Sequence, residues 1–114
     1  MPYILNGDMV EIDGEPRLEN SVLFVPLRKV ATALGANVDF EPTTGTAILY
    51  MGDKIVTFVN DKKSANVDGS DVPLTGAPFV EEGETWVPVR VFESVLGLKM
   101  NADPQNGIVE LSTT

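Results

Sequence analysis

Shifted by 62 positions, the chain aligns with itself without a gap, and any fold it adopts must accommodate that. Gly7 falls on Gly69, Val10 on Val72, Gly14 on Gly76 and Pro16 on Pro78. Val25-Pro26-Leu27-Arg28 falls on Val87-Pro88-Val89-Arg90, Leu34-Gly35 on Leu96-Gly97, Pro42 on Pro104, Gly45 on Gly107 and Leu49 on Leu111. Other positions exchange like for like, Leu18 with Val80 and Phe24 with Trp86. Turn residues and apolar residues recur together, so the repeated object is a folding unit, spanning about 2–60 and 64–114. A unit of about 60 residues buries only about 60% of its unfolded surface, so the two copies are expected to share one core. The connector Asp61-Lys62-Lys63-Ser64 is polar and too short for an interdomain linker. The expected count is a single domain over 1–114.

Each copy opens with short β pieces, Tyr3–Leu5 and Met9–Ile12 in the first, punctuated by Asn6-Gly7 and Asp13-Gly14. Such pairs accept the positive φ of tight hairpin turns. A third strand, about Val22–Val25, runs into Pro26, and the apolar period then changes. Leu27, Val30, Ala31 and Leu34 fall on one helical face, and Gly35 sits where a helix ends. Pro88, Val89, Phe92, Leu96 and Gly97 repeat the device. Short helices of two or three turns are expected, resting on a sheet. Then come Val38–Phe40, a Pro42–Gly45 turn, Thr46–Met51, a Gly52-Asp53 turn and Lys54–Val59. Placing Tyr50 opposite Ile55 and Leu49 opposite Val56 puts Ile48, Tyr50, Ile55 and Val59 on one face. Leu49, Met51, Val56 and Phe58 take the other. Both faces are apolar, so the hairpin is expected at the centre of the sheet with both sides covered. Should one side lie open, Tyr50 and Phe58 mark a candidate interface, and a homodimer through this hairpin is a further expectation.

Chemistry is narrowed by what the chain lacks. It has no His and no Cys, which removes the common general base, thiolate nucleophiles, disulfides and the usual ligands of zinc, copper and non-haem iron. No cofactor is expected. None of its serines stands in a G-x-S-x-G elbow, and there is no P-loop or G-x-G-x-x-G pattern. With net charge −9 and eight Lys and Arg, nucleic acid and anionic membranes are poor partners. No apolar run approaches the roughly 20 residues of a membrane span, so membrane insertion is not expected. The start, MPYILNGDMV, lacks the basic region and long apolar stretch of a signal peptide, which suits either a cytoplasmic chain or an excised portion of an exported one.

Several residues remain as candidates. Paired-carboxylate glycoside hydrolysis is the one enzyme class the composition permits, with Glu41 and Asp103 or Glu81 and Glu82 as pairs. The expectation is a solvated acidic face and no enzyme. Asp68-Gly69-Ser70-Asp71 faintly resembles a calcium loop but has no EF-hand spacing, and it reads better as an Asp-Gly turn. Arg28 and Arg90 each stand in a first helical turn, where a cation opposes the helix dipole. Both are expected to be structural clamps that bind carbonyls or a carboxylate, with Glu19 and Glu81 as the nearby acidic candidates. Trp86, Phe24, Phe79 and Tyr3 form either core or a stacking platform for sugar rings.

The stretch ILNGDMVEIDGEPRLENSVLFVPLRKVATALGANVDFEPTTGTAILYMGDK, echoed by VDGSDVPLTGAPFVEEGETWVPVRVFESVLGLKMNADPQNGIVEL, resembles the copper amine oxidase N-terminal-like, or stalk, domain family. The likeness covers essentially the whole chain and is carried by the twin VP[LV]R…LG blocks. It implies an α+β fold, a meandering antiparallel sheet with two short helices packed on it. It also implies a non-catalytic stalk, spacer or interaction module in a larger extracellular or cell-surface protein of Gram-positive-type bacteria. The implied partners are other domains of that parent protein or cell-wall polymer, and the alternative role is a binding module for cell-wall glycan or peptide. Copper does not follow, because in the oxidases the metal belongs to a separate catalytic domain. Two departures stand out. The glutamate usual after the VP[LV]R block is Thr32 in the first copy and Ser94 in the second. The aromatic of the V-x-w motif is Phe40 in the first copy and Ala102 in the second.

Overall fold

The computed structural model describes residues 3–113; the outermost residues of the two sequence units, 2 and 114, lie outside that range. The elements are β1 (Tyr3–Leu5), β2 (Asp8–Val10), β3 (Arg17–Glu19), β4 (Val22–Pro26), α1 (Leu27–Ala33), β5 (Asn37–Glu41), β6 (Thr46–Met51) and β7 (Lys54–Val59). They continue with β8 (Ser64–Val67), β9 (Ser70–Pro73), β10 (Phe79–Glu81), β11 (Glu84–Pro88), α2 (Val91–Ser94), β12 (Lys99–Asp103) and β13 (Ile108–Ser112). The class is α+β. The strands form three sheets, ordered β12-β13-β1-β2, β10-β11-β4-β3 and β5-β6-β7-β8-β9. Every pairing is antiparallel except β1 with β13. That parallel pair joins the two ends of the described chain, a closure that a pure meander does not make.

The middle sheet is centred on β4 and β11, which align Val25 with Val87, residues 62 apart. Their inner side chains, Leu23, Val25 and Val87, enter a core cluster that also takes Leu27, Val30 and Phe92 from the helices and Leu49, Val56, Phe58, Val109 and Leu111 from the flanking sheets. Burying a side chain such as Phe58 removes it wholly from water and contributes about 2–3 kcal/mol. Tight turns between strands use the expected residues: Asn6-Gly7 and Asp68-Gly69 both carry positive φ at each position.

The helices differ. Pro26, extended at φ −72° and ψ 115°, caps α1, which runs two turns before Gly35. The second helix is a single turn, Val91–Ser94, shorter than expected, and Val89 lies ahead of it. Where α1 has Ala31 and Ala33, the second has Glu93 and Val95. Exchanging the best helix former for a β-branched residue lowers helix propensity just where the second turn would form. No helix among the described residues is long and apolar enough to cross a membrane.

The hairpin β6–β7 takes the expected register, Tyr50 opposite Ile55 and Leu49 opposite Val56, and β7 is the middle strand of its sheet. Only one of its faces is covered. Leu49, Val56 and Phe58 are buried, whereas Tyr50 is 38% and Ile55 48% exposed. The expectation of cover on both sides fails because both short helices lie on the inner side and nothing is left to cover the outer one.

Candidate functional site

The outer face of this five-stranded sheet is built by strand alternation. Register places Asn37, Asp39 and Glu41 of β5 beside Tyr50, Ile48 and Thr46 of β6. Next come Ile55, Thr57 and Val59 of β7, then Asn66 and Asp71 of the two strands beyond. The result is a half-buried apolar strip of Ile48, Tyr50, Ile55 and Val59 with carboxylates on both margins. Phe58, a candidate for the same surface, points inward and is buried.

The outer side of the middle sheet carries an aromatic layer that stands apart from the main core. Phe24 and Phe79 meet with ring centroids 5.0 Å apart, and Phe79 stacks on Trp86 at 6.2 Å and 8°. The Arg17 guanidinium lies 5.2 Å from the Phe79 centroid and 5.1 Å from that of Trp86, a cation–π arrangement worth about 0.5–1 kcal/mol. It also pairs with Glu19 at 3.1 Å and with Glu81, and these two carboxylates raise its pKa. Trp86 is 8% exposed, held beneath Arg17 and the Gly14 loop, so its ring offers no open stacking face. Tyr3 is buried and its hydroxyl donates to the Gly14 carbonyl at 2.7 Å. Burial first, then Glu15 and Glu84, raises the Tyr3 pKa.

The matched arginines have different partners. Arg28 donates from Nη1 to the Val38 carbonyl at 2.7 Å, tying α1 to β5. Arg90 donates to Glu93 at 2.9 Å, in an i,i+3 pair whose arginine side chain is 57% exposed. Glu19 and Glu81 go to Arg17 instead. That residue carries no motif, and it is the pairing of β3 with β4 in the fold that sets it opposite Phe24.

The remaining candidates act in turns. Glu41 accepts hydrogen bonds from the Thr43 hydroxyl at 2.6 Å and the Thr43 amide at 3.1 Å. These lower its pKa, the reverse of what a catalytic acid needs. Asp103, 62 residues on, accepts from the Asn106 side chain at 2.7 Å. Asp68 accepts from the Ile55 amide at 3.0 Å, and Asp71 from Asn66 at 3.2 Å, so the Asp68–Asp71 segment is a hairpin turn bonded to its neighbours. Among the described residues, no three His, Cys, Asp or Glu side chains gather where they could hold a metal ion.

A search of curated proteins finds no match. The family described as "Copper amine oxidase N-terminal domain" matches residues 4–111, a span that includes both VP[LV]R blocks and all three sheets. In the oxidases this N-terminal domain is non-catalytic. The chain belongs to the copper amine oxidase N-terminal domain family.

Proposed function

We propose that the chain is a non-catalytic spacer and interaction module of a larger bacterial cell-surface or secreted protein, and that the outer face of the five-stranded sheet is its contact surface. The observation that carries this reading is the open strip of Tyr50 and Ile55, 38% and 48% exposed, on the reverse of a sheet whose inner face buries Val38, Leu49, Val56 and Phe58. Apolar side chains at the centre of an exposed sheet with polar margins are a feature of docking surfaces. The family's name brings no metal chemistry here. Without His or Cys the donor set does not fit copper, and no step is derived through it. The neighbours proposed for this face are other domains of the parent protein.

A second reading, a module for cell-wall glycan or peptide, is favoured by Tyr50. Its half-exposed ring lies opposite the Asn37 amide and diagonal to Asp39, and a ring beside hydrogen-bonding groups suits a sugar. Analytical ultracentrifugation of the chain and of its Tyr50→Ser/Ile55→Ser variant, alone and with solubilised cell-wall fragments, separates the outcomes. Association that disappears in the variant supports contact through this face, and the species formed tells self-pairing from polymer binding. Association unchanged in the variant would remove the face from the account.

A further inference from the structure

The parallel pair of β1 and β13 joins the two ends of the described chain and lies inside its sheet, between β2 and β12. Its register sets Tyr3 beside Val109, Ile4 beside Glu110 and Leu5 beside Leu111. Because the strands run the same way, the chain enters at one end of the pair, at Tyr3, and leaves at the other, past Ser112. A pull on the two chain ends therefore draws β1 and β13 along each other in opposite directions. The evenly spaced bonds of a parallel ladder then take the load together. An antiparallel pair would bring both chain ends to one end of the ladder, and the same pull would open it one bond at a time. Further contacts resist sliding. The Asn6 amide donates to the Leu111 carbonyl at 2.9 Å. The Asn6 side-chain oxygen accepts from the Thr113 amide at 2.8 Å and from the Thr113 hydroxyl at 3.1 Å, which latches the exit end of the pair. Tyr3, Leu5, Val109 and Leu111 are all buried in the shared core, and the Tyr3 hydroxyl is tied to the Gly14 carbonyl at 2.7 Å. Moving β1 along its axis means drawing Tyr3 and Leu5 out of the core and shearing the second ladder, to β2.

We propose that the β1–β13 pair is a tension-bearing clamp, by which the module keeps its fold when a load runs through it from one end of the chain to the other. The load it fits is the pull between neighbouring domains of a longer protein, which rests on the reading of the chain as a module of one. The clamp uses none of the residues of the outer sheet face and is independent of the contacts assigned there. At the rise of a β-strand, the points of entry and exit lie only about 10–15 Å apart along the pair. The longest dimension of the molecule is 34 Å. Folded, the module therefore adds little length under load. Once the clamp gives, residues 3–113 unravel from their one core, releasing about 350–400 Å of chain.

The test is single-molecule force spectroscopy of the full chain at one fixed loading rate. Handles are joined through introduced cysteines, which are unique because the chain has none of its own. In one arrangement a cysteine is added at each end. In the other, one is added ahead of β1 and Gln105→Cys, at an exposed turn position ahead of β13, takes the second handle. The same fold is thus pulled in shear or peeled open from the Tyr3 end of the pair. The expected result in shear is a single unfolding event that releases about 350–400 Å. Its force is expected to be about twice that of peeling or more, because the ladder bonds fail together and forced unfolding follows the barrier along the pulling direction. Asn6→Gly removes the latch on Thr113 and keeps a residue that accepts the positive φ of the turn. It is expected to lower the shear force and leave the peeling force as it was. Loss of the contacts on the outer sheet face, as in the Tyr50→Ser/Ile55→Ser variant, is expected to change neither arrangement's ranking. Equal forces in shear and in peeling, a shear force that Asn6→Gly leaves unchanged, or release of the chain in shear by small early steps would each overturn the clamp.

Discussion

Gly76 has no room for a side chain: a Cβ there would stand 2.9 Å from Phe24 Cζ and 3.4 Å from Val22 Cγ1. Its counterpart Gly14 approaches Pro26 and Trp86 in the same way, at 3.1 and 3.7 Å, with φ at +122°. Each glycine closes its loop over an aromatic residue of the middle sheet. Gly76→Ala is therefore expected to overpack the aromatic layer at a cost of about 1–3 kcal/mol, read as a lower denaturation midpoint with an unchanged slope. An unchanged midpoint would mean that the loop can lift away freely. Tyr3, under the Gly14 loop, makes a pH prediction. Its folded pKa is raised, chiefly by burial, so its contribution to stability is fully present below the unfolded tyrosine value of about 10. It is lost as pH rises from there towards the folded value. Stability measured by denaturant between pH 8 and 11 is expected to fall above pH 10. Tyr3→Phe is expected to lose that alkaline decline and to be about 1 kcal/mol less stable at neutral pH, for want of the bond to Gly14. A variant with the parent's alkaline profile would show that another group titrates.

At the scale of elements, α1 and α2 separate what matched sequence positions hold in common. Arg28 secures a two-turn helix to β5 from a part-buried position, so Arg28→Met is expected to lower stability by about 1–2 kcal/mol. Arg90→Met breaks an exposed pair and is expected to cost less than about 0.5 kcal/mol. Thermal melts of both variants check this, and equal losses would contradict the difference in their partners. The same contrast shows how far sequence reading reaches. The strands β5, β6 and β7 and their register were legible because alternation, a Gly-Asp turn and an apolar pattern on both faces all agree. The single-turn length of α2 was harder to see, because Val89, Phe92 and Leu96 keep a helical spacing while the residues between them have lost the propensity to extend it. Arg17 was not legible as the hub of the aromatic layer. Glu19 lies on its own strand, but Glu81, Phe79 and Trp86 reach it only when β10 and β11 join β4 and β3 in one sheet, and no local pattern encodes that.

For the whole molecule, the three sheets surround one cluster of buried side chains drawn from residues 3 to 111. Both helices are spent on the inner side, which leaves the outer face of the five-stranded sheet uncovered. The sequence displayed both apolar faces of the β6–β7 hairpin but not which would stay open, because that depends on where α1, ahead of the hairpin, and α2, well beyond it, come to rest. The central claim, that this open face makes the contacts of the module, is tested most directly by an amide-resolved NMR titration of the chain with solubilised Gram-positive cell-wall fragments, run alongside a dilution series of the chain alone. The account predicts shifts confined to Ile48, Tyr50, Ile55 and Thr57 and their strand neighbours, in one series or the other. A flat response on those residues in both, or shifts that leave them untouched while another surface responds, would contradict it.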